Sequence, residues 1–181
     1  MADAHRHVVT INRAPVLTLW AAVVAERLGF AWDEALTLGR AVAGLNAYAK
    51  GVSIGVFQPA PKDVKEKRRK MASGQKMHVD LLHRAVPVAA TQDGIRALVK
   101  DRAIDPESVE RYLEKAFGET LDAARAAMTT LARSLPPAKL AGRAYHLYEE
   151  FRPEVPAGAA GWGAKGRLDL DRLRGLAAKT E

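Results

Sequence analysis

The sequence predicts a mainly α-helical protein, a helical bundle with a tight N-terminal helix hairpin and a small β-hairpin. Apolar residues make up 48% of the chain and charged residues 27%, a balance that suits a helix-rich globule and argues against disorder. Apolar positions recur at helical spacing in several segments that end at glycine or proline. One block, 77–88, instead alternates as strands do. With 181 residues the chain reads as a single domain over 1–181, long enough to bury about 68–70% of its unfolded surface.

The hairpin is expected over 13–51. Its first helix starts at Pro15, where a missing amide hydrogen is harmless, and runs through an almost wholly apolar stretch to Leu28 before Gly29. Arg6 and Arg13 ahead of the run APVLTLWAAVVA (14–25) imitate a secretory leader, with Val23 and Ala25 placed like a cleavage site. The helical pattern continues through Glu26 and Arg27 into the glycine stop, so a buried core helix is the expectation, and a run of twelve residues is too short to span a bilayer. The second helix is expected from Asp33, whose carboxylate would cap it, to Lys50, with Gly51 as its stop. Gly39, Ala43 and Ala47 form a smooth strip along it, suited to close approach of another backbone.

A basic loop follows over 58–76, then a β-hairpin over 77–90, in which Pro87 would confine its strand to a sheet edge. Helices are expected over 92–151. The clearest begins at DPES (105–108), with aspartate as cap and proline at the first position. Its apolar face is Val109, Tyr112, Leu113, Ala116 and Phe117, and Gly118 ends it. Two more flank Pro136 and Pro137, and a Gly/Pro connector leads to a C-terminal helix within 152–181, marked by Leu170, Leu173 and Leu176.

The blocks RAPVLTLWAAVVAERLGF…DEALTLGRAVAGLNAYAKG (13–51) and GWGAKGRLDLDRLR (161–174), with VERYLEKAFG (109–118) between them, resemble a conserved microbial family of uncharacterised proteins. The resemblance covers most of the chain and implies a shared fold. It transfers no catalytic or binding residue, since no activity is attached to the family. The family pattern places an acid where this chain has Ala31, so the resemblance also hands the cap of the second helix to Asp33.

Function must be sought in charge and motifs. The formal net charge is +7, of which the segment KDVKEKRRKMASGQK (62–76) supplies +5, seven cations against two acids. Lys62, Lys65, Lys67, Arg68, Arg69, Lys70 and Lys76 are the candidate phosphate contacts. No aromatic residue lies among them to stack on bases, which points to nonspecific contact. A helix-turn-helix is conceivable at 21–40, with Gly29 at its turn. Of its outward positions only Thr37 and Arg40 suit base or phosphate contact, while Asp33 and Glu34 would repel phosphate at the end that enters the groove. A plain helix hairpin is therefore the preferred reading, and Arg40 joins the candidate nucleic-acid contacts.

GWGAKG (161–166) satisfies a dinucleotide-binding pattern in letters only, because no apolar strand precedes it and the chain ends too soon after it. Trp162 is expected to dock this connector on the body, with phosphate binding by Lys165 the less favoured reading. The five histidines, His5, His7, His78, His83 and His146, show no ligand spacing. With no cysteine there is no disulfide framework. The expectation is a cytoplasmic, non-enzymatic nucleic-acid-associated or regulatory module without metal, cofactor or membrane partner, and no catalytic residue is assigned. The alternative is a protein-interaction or assembly module with a helical homodimer interface; an enzyme of unknown class ranks third.

Overall fold

The protein is described by a computed structural model covering residues 8–53, 77–154 and 165–180. Helices dominate those residues. Helix α1 (Arg13–Arg27) and helix α2 (Trp32–Ser53) form the expected hairpin. Every residue of α1 from Pro15 to Ala25 is buried, as its unbroken apolar run requires. The turn is made by Gly29 at φ +115°, and the Phe30 amide donates back to the Ala25 carbonyl at 3.1 Å. Gly39, on the smooth strip of α2, faces α1. A Cβ at Gly39 would collide with the Thr18 carbonyl oxygen and approach the Ala22 nitrogen to 2.9 Å, so the two backbones touch there. Two boundaries differ from expectation: α1 begins at Arg13 rather than Pro15, and α2 continues through Gly51 to Ser53. A glycine inside a helix costs about 1 kcal/mol against alanine and need not end it.

The β-hairpin exists and is part of something larger. Strands β2 (Met77–Leu81), β3 (Arg84–Thr91), β4 (Gly94–Val99) and β5 (Arg102–Ala103) form an antiparallel meander in that order. The expectation of helix directly after residue 91 is therefore wrong; Gly94–Val99 and Arg102–Ala103 are strands, and helix resumes only at Pro106. Pro87 lies in β3, which has a neighbour on each side. It pairs with His78 of β2, but the β3–β4 ladder begins one residue later at Val88↔Ala97, so at Pro87 the strand is paired on one side only. The edge rule for proline thus operates locally. The β2–β3 and β4–β5 turns put Leu82, His83, Lys100 and Asp101 at positive φ with no glycine among them.

Helices α3 (Pro106–Phe117), α4 (Leu121–Arg133) and α5 (Pro137–Phe151) follow, α3 and α4 being joined by a short 3-10 turn, Gly118–Thr120. The start of α3 is as expected: Asp105 accepts from the Glu107 amide at 3.1 Å, Pro106 opens the helix, and Val109, Leu113 and Phe117 are buried. Trp20 of α1 is fully buried, donates its indole N–H to the Ala144 carbonyl of α5 at 2.9 Å, and meets Phe151 edge-on at 5.2 Å. A second, two-stranded ribbon has no counterpart in the sequence expectations. Strand β1 (Val8–Ile11) pairs antiparallel with β6 (Gly166–Asp169), placing Val9, Ile11 and Leu168 inward. Helix α6 (Leu170–Thr180) packs on α4 through Leu170, Leu173 and Ala177. Among the described residues, no helix is long and apolar enough to cross a membrane.

Candidate functional site

The first turn of α2 is bonded repeatedly to β4. Free amides at a helix start need acceptors, and so do strand amides that point away from their neighbour. Glu34 serves both. Its Oε1 accepts from the Ala31 amide at 3.0 Å, the reciprocal half of a capping box, and its Oε2 accepts from the Ile95 amide of β4 at 2.7 Å. Thr37 continues the pattern: its Oγ1 accepts from the Ala97 amide at 3.1 Å and donates to the Glu34 carbonyl at 2.9 Å. Asp33 does not cap as expected. Its Oδ2 lies 2.8 Å from the Arg96 guanidinium, whose side chain is only 9% exposed, and that ion pair ties α2 to β4 a third time.

These interactions occupy positions that a recognition helix would present. Of the positions a recognition helix would present, Leu36 and Thr37 are buried and Asp33 is ion-paired. Trp32 lies beneath the Arg125 guanidinium, 3.7 Å from its ring centre, and Arg125 in turn sits 3.6 Å from Glu26. Arg40 is exposed, as a nucleic-acid contact must be, and its guanidinium stacks on Tyr112 of α3 at 4.9 Å. Burial raises the Tyr112 hydroxyl above its ordinary pKa, with Arg40 pulling it down.

Beside this junction lies a cleft of about 720 Å³, formed by the start of α2, the β3–β4 turn and the start of α3. Trp32, Leu36, Ile104 and Pro106 give it apolar walls. Five carboxylates line it (Asp33, Asp93, Asp105, Glu107 and Glu110) against the single guanidinium of Arg96. Two are committed, Asp33 to Arg96 and Asp105 to the α3 cap. The electrostatic consequence is repulsion of phosphate from the end of α2 that a DNA-reading helix would insert. Sequence reasoning missed Glu34, Trp32 and Arg96 as partners. The spacing of Glu34 from Ala31 was a signal, hidden because alanine replaces the usual Ser or Thr of the motif.

Lys62, Lys65, Lys67, Arg68, Arg69, Lys70 and Lys76 lie outside the described residues, in the connection from α2 to β2. Arg84 does not extend that charge freely, because its Nη2 donates to Asn46 Oδ1 of α2 at 3.1 Å. Residues 161–164, with Trp162, also lie outside the described residues, whereas Lys165 is exposed just before β6. Asp169 accepts from the Asp171 amide at 3.0 Å and so fills the acceptor position at the start of α6 that a phosphate would need. His146 pairs with Glu150 at 3.7 Å on the exposed face of α5, and His83 packs on Tyr145 with ring centres 6.0 Å apart. Among the described residues, no three His, Asp or Glu side chains converge as a metal site would require. No protein-family model, curated protein or solved structure matches the chain.

Proposed function

We propose that this chain is a binding module that holds nucleic acid through its phosphates, with 62–76 as the principal contact and Arg40 as an accessory cation. One observation carries the reading: +5 of the formal +7 is concentrated in fifteen residues. The burial of Leu36 and Thr37 and the acidic cleft beside them speak against base reading by the start of α2, which leaves phosphate contact through other residues as the favoured mode. Affinity should then depend steeply on salt and little on sequence.

The test replaces Lys67, Arg68, Arg69 and Lys70 together by glutamine and measures binding to several duplexes across a salt series. Affinity should fall alike for every duplex, and the magnitude of the log–log salt slope should drop by about 0.9 for each phosphate no longer neutralised. The denaturation midpoint should hardly change, since substitutions away from buried features usually stay within about 0.5 kcal/mol. Absence of DNA affinity in the unmodified protein at low salt would sink the reading and bring forward an assembly role. Affinity unchanged by the fourfold replacement would move the binding to another surface.

A further inference from the structure

A second cavity, of about 260 Å³, opens where the C-terminus of α5 meets the β1–β6 ribbon. Three arginines line it, Arg152, Arg167 and Arg172, together with two carboxylates, Glu154 and Asp169. The carboxylates are already engaged. Glu154 Oε1 lies 3.1 Å from Arg172, and Asp169 accepts the amide that opens α6. Arg152 and Arg167 have no hydrogen-bonding or ion-pair partner for their side chains among the described residues.

The main chain of both is anchored at this corner. The Arg152 amide donates to the Tyr148 carbonyl at 2.7 Å at the end of α5. Arg167 sits in β6 opposite Thr10, and its amide donates to the Glu154 carbonyl at 3.3 Å. Arg13 braces the same corner by donating from Nε to the Pro153 carbonyl at 2.9 Å. The lining carries three guanidinium groups against two carboxylates, a net positive charge, and the forks of Arg152 and Arg167 are the ones not taken up by those carboxylates. An oxyanion is attracted by that surplus, and the planar guanidinium fork matches the tetrahedral oxygens of phosphate better than a lysine ammonium does. A cavity of about 260 Å³ is below the roughly 300–1,000 Å³ of drug-sized pockets, so it suits a single phosphate group and little more.

We propose that Arg152 and Arg167 form a phosphate-binding site, with Phe151 as its apolar wall. The site stands on its own lining and does not need the basic segment. The phosphate can belong to a soluble phosphorylated compound or to a nucleic-acid strand. The experiment titrates inorganic phosphate into arginine-labelled protein at low ionic strength and follows the Nε–Hε signals, assigned through Arg152→Lys and Arg167→Lys. Saturable shifts at Arg152 and Arg167, absent with chloride at matched ionic strength, are the expected result. Arg152→Gln or Arg167→Gln should each weaken binding about tenfold or more, as loss of a charge-assisted hydrogen bond does.

Shifts spread over all arginines in proportion to ionic strength, or undiminished binding in the double glutamine variant, would overturn the site. In a second arm, a short duplex is added to the phosphate-loaded protein. Displacement of phosphate assigns the site to nucleic acid, and unmoved signals assign it to a soluble compound; either outcome upholds it. Duplex retention by the unmodified protein is read separately, so failure of the nucleic-acid reading and failure of this site are told apart.

Discussion

At the scale of single residues, two positions carry consequences that can be measured directly. Gly39 has no room for even a methyl group against the Thr18 carbonyl, so Gly39→Ala should destabilise the protein despite alanine's better helix propensity. Overpacking of this kind costs about 1–3 kcal/mol, and a lower urea midpoint with an unchanged slope is the expected readout. A stabilised variant would mean that the helices part easily. Tyr148 is the second position. Burial pushes its hydroxyl up to about 12 from 10.0, with Arg13 and Arg152 pulling the other way and Tyr145 adding to the rise. The folded chain therefore keeps this proton after the unfolded chain has lost it. Stability from this group is full below pH 10 and declines between pH 10 and about 12. The loss should reach about 2–3 kcal/mol for a shift of this size. Tyr148→Phe should flatten that part of the alkaline limb, and an identical limb in the variant would show that other groups govern it.

Glu34 gives the element scale its test, because one side chain holds the start of α2 and an amide of β4 together. Glu34→Ala gives the exposed Ala31 amide to water and leaves the part-buried Ile95 amide without its acceptor, and a cost of about 1 kcal/mol is expected. Hydrogen exchange separates the contributions. The Ile95 amide should exchange faster in Glu34→Ala, and the Ala97 amide in Thr37→Val; uniform protection in both would show that β4 is held by its strand partner alone. The same junction explains what the sequence did and did not disclose. Helix α3 was legible because Asp105, Pro106 and Gly118 punctuate an amphipathic run. Strand β4 was not: GIRALV is short and apolar, and such a run fits a buried helix as well as a strand. The β4–β5 turn lacked a glycine signal, since Lys100 and Asp101 take the positive φ there, whereas Asp93-Gly94 ahead of β4 was a turn signal that the helix expectation passed over. The acidic cleft was illegible for another reason. Its lining joins the start of α2 to segments that begin only at Thr91, and no local pattern reports their meeting.

For the whole molecule, the β1–β6 ribbon joins the two distant ends of the described chain, Val8 with Asp169 and Ile11 with Gly166. That pairing explains why neither strand could be read locally: each is four residues long and acquires meaning only from the other. It also predicts that the C-terminal segment is integral to the core. Ending the chain after Lys165 removes Leu168, Leu170 and Leu173, all at 0% exposure. Losing one buried leucine side chain typically costs about 2–5 kcal/mol, and a domain's total stability is about 5–15 kcal/mol. The truncated chain should therefore lose its cooperative urea transition and the near-ultraviolet signal of buried Trp20; a retained sharp transition would show that the ribbon and α6 are appendages. The side chains of α2 that occupy the β4 amides have a further consequence, for aggregation. An unpaired strand is a template on which a second chain can add, and proteins block such edges by covering or bending them. Here the amides of Ile95 and Ala97 already have their acceptors, so an incoming strand finds no donors at those two positions. On the opposite side of the sheet β2 has no strand neighbour beyond β3 among the described residues, and Met77 is 53% exposed there. Strand addition alongside β4 at Ile95 and Ala97 is blocked by the α2 side chains.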